Sequence, residues 1–238
     1  MECETGRAWQ HRRCLLIHGF TGGPYEVQPL AEDLTACGYE CHVLRLPGHD
    51  DELAGLRTAV WQDWLKGAEA EIARLTGDGE PVDLIGFSMG GLISAYLANR
   101  YPVRRLVLLS AAAIYVSPVR FLKDLALRAR QKDWDYLKRG KKTPLRAAVE
   151  FMKLARYAKR EELPKVTVPT LIAQGRRDQI VHPRSADYIY RRLQGERELH
   201  FFDRSRHLIC LEEDAPDLFA EVRRFLGITL EGQGTSGS

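Results

Sequence analysis

PVDLIGFSMGG, Pro81 to Gly91, sets a serine between two glycines at the end of an apolar run. Val82 to Ile85 read as a short buried strand, and Leu92 to Arg100 carry the apolar spacing of a helix, so Gly86-x-Ser88-x-Gly90 must turn the chain between them. Such a turn is tight. It holds the serine in a strained backbone conformation that lifts its hydroxyl out of the sheet, and a side chain at either glycine would strike neighbouring backbone. The helix that follows adds its amino-terminal field, which favours negative charge developing beside the serine. This is the sequence form of a nucleophile elbow.

The rest of the chain repeats the strand-then-helix rhythm. Further strand-like runs are Cys14 to His18, Glu40 to Leu44, Leu106 to Leu109, Thr170 to Gln174 and Glu198 to Phe202. Between them lie helical patterns at Tyr25 to Cys37, with Gly38 as a stop, and at Ala59 to Leu75, Ser88 to Arg100, Ser185 to Leu193 and Ala215 to Leu226. Several strands are continuously apolar, as strands covered on both faces are, so the pattern predicts an α/β fold with a mostly parallel sheet flanked by helices. From Ile114 to Lys165 there is no strand signal, only basic helical pattern interrupted at Pro118, Gly140, Pro144 and Pro164. We read this stretch as a small helical cap inserted into a single domain spanning residues 1–230. Glu231 to Ser238, EGQGTSGS, reads as a flexible tail.

Composition narrows the function classes. A chain of 238 residues, 45% hydrophobic and 28% charged, suits a globular domain that buries about 70–75% of its unfolded surface. No apolar run approaches the ~20 residues of a membrane span, and the start, MECETGRAWQHRR, has no signal-peptide core, so we expect a cytoplasmic protein without integral membrane association. Cys3, Cys14, Cys37, Cys41 and Cys210 are odd in number and form no C-x-x-C pair, which points to reduced thiols and no metal site. The basic residues come without interleaved aromatics, so no nucleic-acid partner is expected.

A serine nucleophile needs a histidine to take its proton and a carboxylate to hold that histidine in the productive tautomer, and in open α/β sheets these sit in loops just after strands. Asp178, in QGRRDQIV after the Thr170 strand, meets that condition, with Gly175 as the turn. Asp83 lies inside a strand and Asp203 abuts the histidine loop. His207, in FFDRSRHLICLEE after the last strand, takes the third place. His200 lies within that strand and His182 precedes Pro183 beside the acid loop. Two backbone N–H groups are needed for a developing oxyanion: Met89 follows the nucleophile, and Phe20 lies in HGFTGGP, the glycine-rich loop after the first strand.

Together LLIHGFTGGP, LRLPGHD, LIGFSMGG, LIAQGRRDQIV and RHLICLEE resemble the α/β-hydrolase superfamily from Leu15 to Glu213, most closely its bacterial carboxylesterases and monoacylglycerol lipases. The resemblance implies Ser88, Asp178 and His207 as a catalytic triad, Phe20 and Met89 as oxyanion donors, no cofactor and a small-molecule ester as substrate. The chain departs from the pattern twice. Arg206 stands where a small residue usually precedes the histidine, and GHDD, Gly48 to Asp51, replaces the frequent GHG; both alter the rim of the site.

The expected reaction is hydrolysis of short- to medium-chain esters through an acyl-enzyme. Phe20, Tyr25, Ile114, Tyr115, Val116 and Ile180 are expected to line an apolar acyl pocket. The same triad could serve a C–C bond hydrolase or an acyltransferase, and the same scaffold a small-molecule receptor without catalysis; a monomer and a homodimer are both compatible with the chain. Ile114 to Lys165 holds fifteen Lys and Arg against six Asp and Glu in a chain of net charge +3, a concentration that forms either solvated helix faces or a positive field over the cleft that would gather anionic substrates or acidic lipid surfaces.

Overall fold

Strands such as Leu15–Ile17 and Leu106–Leu109 are apolar at consecutive positions, so each side chain needs cover on its own face of the sheet. The computed structural model, which describes residues 12–114 and 144–228, provides that cover. Strands β1 (Arg13–Ile17), β2 (Glu40–Leu44), β3 (Val82–Phe87), β4 (Val103–Leu109), β5 (Thr170–Gly175) and β6 (Arg197–Phe202) form one parallel sheet in the order β2-β1-β3-β4-β5-β6. Leu15, Ile17, Leu84, Leu106 and Leu108 pack into one core with helices α2 (Trp61–Leu75), α3 (Met89–Ala98), α4 (Leu145–Tyr157) and α5 (Arg184–Arg192). Cys14, Leu16, Ile85, Phe87, Val107 and Leu109 point the other way, against α1 (Gln28–Ala36) and α6 (Ala215–Leu226).

The strand order reverses between β1 and β3, and open α/β sheets place their ligand crevice outside the carboxyl ends of strands at such a point. The glycine-rich loop leaves β1 there, beside the elbow that leaves β3.

The elements follow the sequence reading with three instructive differences. β4 begins at Val103, ahead of Leu106, because its two arginines are used: Arg104 grips the fully buried Asp83 through Nε at 3.1 Å and Nη2 at 2.6 Å, and Arg105 donates to the Leu226 carbonyl at 2.6 Å. The first helical stretch is split into a short 3-10 turn, Pro24–Glu26, and α1, with Val27 out of helical geometry before Pro29 in the first turn of the new helix. Gly175 is no turn but the last residue of β5. A Cβ there would sit 2.1 Å from the Arg206 carbonyl oxygen and 2.6 Å from that of Ser205, so glycine is required by the close approach of the histidine loop.

Between β4 and β5 the described residues Leu145–Lys165 are helical: α4, a π-turn at Ala158–Glu162 and a 3-10 turn at Leu163–Lys165. Their anchor is the buried carboxylate of Glu162, which accepts both terminal nitrogens of Arg100 at 2.8 Å, the Tyr157 hydroxyl at 2.5 Å and the Asn99 amide at 2.8 Å. Burial alone would push its pKa up, but these donors together hold it below the ordinary value. Residues 115–143, with Tyr115, Val116 and most of the basic cluster, lie outside the described residues, as do Cys3 and the tail. Among the described residues no helix is long and apolar enough to cross a membrane.

Candidate active site

Ser88 caps α3 with φ 53° and ψ −112°, the left-handed strain expected of the elbow. Both flanking glycines are obligatory for space. A Cβ on Gly86 would lie 2.4 Å from the Gly90 carbonyl oxygen and the Ser94 hydroxyl, and one on Gly90 would lie 2.2 Å from the Ile17 carbonyl oxygen. The turn is therefore pressed against the end of β1. The Ser88 amide donates to the Leu109 carbonyl at 2.8 Å, and its own carbonyl accepts the Gly91 and Ala112 amides at 3.2 Å, which locks the strained residue in place.

His207 Nε2 lies 3.1 Å from Ser88 Oγ, and His207 Nδ1 lies 2.7 Å from Asp178 Oδ2. The three side chains, far apart in sequence, are all buried. Asp178 takes its position from the loop after β5: Oδ1 accepts the Ile180 and Val181 amides at 2.8 and 2.9 Å, and Oδ2 also accepts the Gln174 side chain at 3.0 Å. The carboxylate thus orients His207 with its Nδ1–H toward Oδ2, leaving Nε2 to accept from the serine. The histidine loop is braced from below by Asp214, whose Oδ2 accepts the Arg204 and Ser205 amides and the Ser205 hydroxyl at 2.8–2.9 Å. The Phe87 ring packs against the imidazole at 4.9 Å between centroids.

Met89 supplies the first amide of α3, which no carbonyl within that helix can satisfy. Opposite it, the loop His18–Pro24 crosses the end of β1 with Thr21 at φ 60°. Phe20 is half-buried on that loop, stacked on Phe151 of α4 at 5.0 Å and packed near Trp64 and His49. Ile180 and Met89 belong to the same apolar core. Ile114 is half-buried, its amide donating to Ser185 Oγ at 3.0 Å and its carbonyl accepting the His182 amide at 3.3 Å. Tyr25 stands exposed on the 3-10 turn.

Sequence reasoning missed the support of the glycine-rich loop. Glu26, buried, accepts the Gly19 amide at 2.8 Å. His18 donates from Nδ1 to the Gly19 carbonyl and accepts the Leu46 amide on Nε2, and its ring meets His49 at 5.0 Å. Burial lowers the pKa of His18 to about 3, with the neighbouring His49 adding to it, and burial lowers that of His49 to about 4, so both rings are neutral. The HG and GHD motifs name these histidines, but only their packing reveals that the site rests on an uncharged pair.

The four described cysteines are free; burial pushes the thiols of Cys14 and Cys210 up, away from thiolate chemistry. Cys37, Cys41 and His42 do not gather as ligands. Among the described residues the only grouping at metal-ligand spacing is Glu198, His200 and Glu221, where Arg224 already pairs with both carboxylates.

The family model described as alpha/beta hydrolase family matches residues 14–222. The thermostable monoacylglycerol lipase of Bacillus sp. (strain H-257) is 28% identical over 223 residues, covering 89% of this chain and 88% of the lipase. The carboxylesterase of Bacillus subtilis (strain 168) is 26% identical over 224 residues, covering 89% and 91%. A solved structure from work on LipS and LipT, two metagenome-derived lipolytic enzymes, superimposes with a TM-score of 0.76 at 25% identity, covering 92% of this chain and 94% of that one.

Proposed function

We propose that this chain, which belongs to the alpha/beta hydrolase family, is a serine carboxylesterase acting on short- to medium-chain acyl esters, monoacylglycerols among them. The observation that carries this reading is the hydrogen-bonded run from Ser88 through His207 to Asp178. Ser88 Oγ attacks the ester carbonyl while His207 Nε2 takes its proton; Asp178 steadies the imidazolium that forms. The tetrahedral oxyanion is held by the amides of Met89 and Phe20. Collapse breaks the ester C–O bond, the alcohol leaves with the proton from His207, and an acyl-enzyme remains. Water activated by the same histidine then releases the acid and restores the serine.

Substrate range follows from what surrounds Ser88. Phe20, half-buried and stacked on Phe151, presents an apolar wall, and with Ile114 and Ile180 it favours acyl chains by about 0.8 kcal/mol per buried methylene until the space is full, whereas the Met89 side chain is enclosed in the core and contributes only its amide. In this reading Ile114 to Lys165 forms the cap, Phe151 of α4 stacks on Phe20 of the glycine-rich loop, and Tyr25, Tyr115 and Val116 complete the lining. The relatives named for monoacylglycerol lipase and carboxylesterase activity agree with an ester rather than an amide or peptide.

The test is a series of p-nitrophenyl esters by acyl length, with monoacylglycerols and thioesters alongside, each repeated with Ser88→Ala. We expect kcat/KM to rise from acetate to a maximum at short or medium length and the variant to be inert. A maximum at acetate with loss at every added carbon would overturn the apolar pocket, and turnover by the variant would overturn the nucleophile.

A further inference from the structure

Away from the triad, the sheet holds a second pair of reactive side chains. Cys14 in β1 and Cys41 in β2 are direct register partners, so their Cα atoms stand one strand spacing apart, about 4.8 Å. A disulfide spans about 4.4–6.8 Å between Cα atoms, which places the pair within bonding geometry. Both side chains lie on the face of the sheet that α1 covers, and both thiols are free. The pair sits near the start of β1, whereas the glycine-rich loop leaves from its end.

The two sulfurs are not equivalent. Cys14 is fully buried, and its other register partner, on β3, is the buried carboxylate Asp83. Burial raises the pKa of Cys14, and the hydrogen bond to Cys41 and the nearby Asp83 charge raise it further, so this thiol keeps its proton. Cys41 is half-buried on β2, the edge strand of the sheet. The hydrogen bond from Cys14 lowers its pKa and outweighs the opposing effect of burial. Cys41 is therefore the sulfur that ionises and meets solvent, with a protonated thiol held beside it. Cys37, buried at the carboxyl end of α1, and Cys210, buried on the 3-10 turn Ile209–Leu211, face no cysteine across a strand pair.

We propose that Cys14 and Cys41 are a redox modification site, which a peroxide converts to a reversible disulfide between β1 and β2. The Cys41 thiolate attacks one peroxide oxygen and the O–O bond breaks; the departing hydroxide takes up the proton that Cys41 released and leaves as water, and Cys41 becomes a sulfenic acid. The Cys14 sulfur then attacks the Cys41 sulfur, the S–OH bond breaks, and the Cys14 proton joins the leaving hydroxide as a second water. Two thiols lose two electrons in all, and one peroxide gains them. A Cα separation of about 4.8 Å lies toward the short end of the disulfide range, so the bond is one that thiol reductants open readily. The site is independent of the esterase reading.

The test treats the folded, reduced full chain with hydrogen peroxide, blocks the remaining thiols with iodoacetamide during unfolding, and maps the peptides by mass without reduction. We expect the main oxidised product to be a linked pair of peptides carrying Cys14 and Cys41, two hydrogens lighter than their sum and released by dithiothreitol. Cys41 should lose its capacity for alkylation about tenfold faster than Cys210 or more. Cys41→Ser should abolish the link. Cys14→Ser removes the resolving sulfur, so Cys41 should instead be trapped by dimedone as a sulfenic acid. The proposal is overturned if wild-type Cys41 advances to sulfinic acid without forming the link, if the link joins other cysteines in place of this pair, or if both thiols stay alkylatable under peroxide that oxidises free cysteine.

Discussion

Glu26 Oε2 accepts the Gly19 amide at 2.8 Å, and its carboxylate fills the space that a Cβ on Gly22 would enter at 2.0 Å. The glycine-rich loop is therefore wrapped around a buried acid that holds the amide next to Phe20, the residue proposed above as an oxyanion donor.

Glu26→Gln keeps the size but turns a charge-assisted acceptor into a weaker one, so the loop should loosen without unfolding the chain. We expect kcat on a p-nitrophenyl ester to fall by roughly 10- to 100-fold with KM little changed, since an oxyanion donor acts in the transition state. Gly22→Ala should cost more, because its methyl collides with the Glu26 carboxyl. A rise in KM with kcat intact would place Glu26 in substrate binding instead.

Ser88→Ala should lower ester turnover by about a million-fold while preserving the fold, because only one hydroxyl is removed. Ser88→Gly should be equally inactive yet more stable than Ser88→Ala by roughly 1 kcal/mol, since glycine tolerates φ 53° where alanine retains the strain. Comparing urea unfolding of the two variants checks this. Equal stability would mean that the elbow stores no strain.

Asp178→Asn can keep the Ile180 and Val181 amides on its oxygen, but its NH2 would then face two donors, Gln174 and His207. The imidazole is driven toward the wrong tautomer, and kcat should drop by about ten-thousand-fold with near-normal stability. Loss below tenfold would mean that another carboxylate orients His207.

The neutral pair His18 and His49 makes stability depend on pH. Above 6.5 neither folded nor unfolded chain protonates these rings; below it the unfolded chain does, while the folded chain resists down to about 4 for His49 and about 3 for His18. Stability is therefore full above 6.5 and declines on acidification by up to about 1.4 kcal/mol per pH unit for each ring. His49→Phe, which also removes the unsatisfied Nε2, should flatten the fall in urea midpoint between pH 7 and pH 4. An unchanged slope would show that His49 charges in the folded state.

The sheet, the elbow and the order serine, acid, histidine were legible in the sequence because each depends on local pattern: apolar runs for buried strands, glycines where backbone crowds, polar residues just past strand ends. Ser88, Asp178 and His207 could be proposed from the sequence for that reason, and the fold brings their side chains within hydrogen-bonding distance. Glu26, Gln174 and Asp214 could not, since nothing local separates a buried side chain that accepts backbone amides, or one that donates to a carboxylate as Gln174 does, from a solvated side chain. Nor could the start of β4, whose Arg104 and Arg105 look like loop residues until Asp83 and the Leu226 carbonyl arrive opposite them. Gly175 was visible as a glycine, but its cause, contact with Arg206 from another loop, exists only once β5 and β6 pair. Periodicity and steric punctuation act within a few residues and are written in the chain. Electrostatic compensation and close backbone approach act across it, and the tertiary structure alone decides which groups meet.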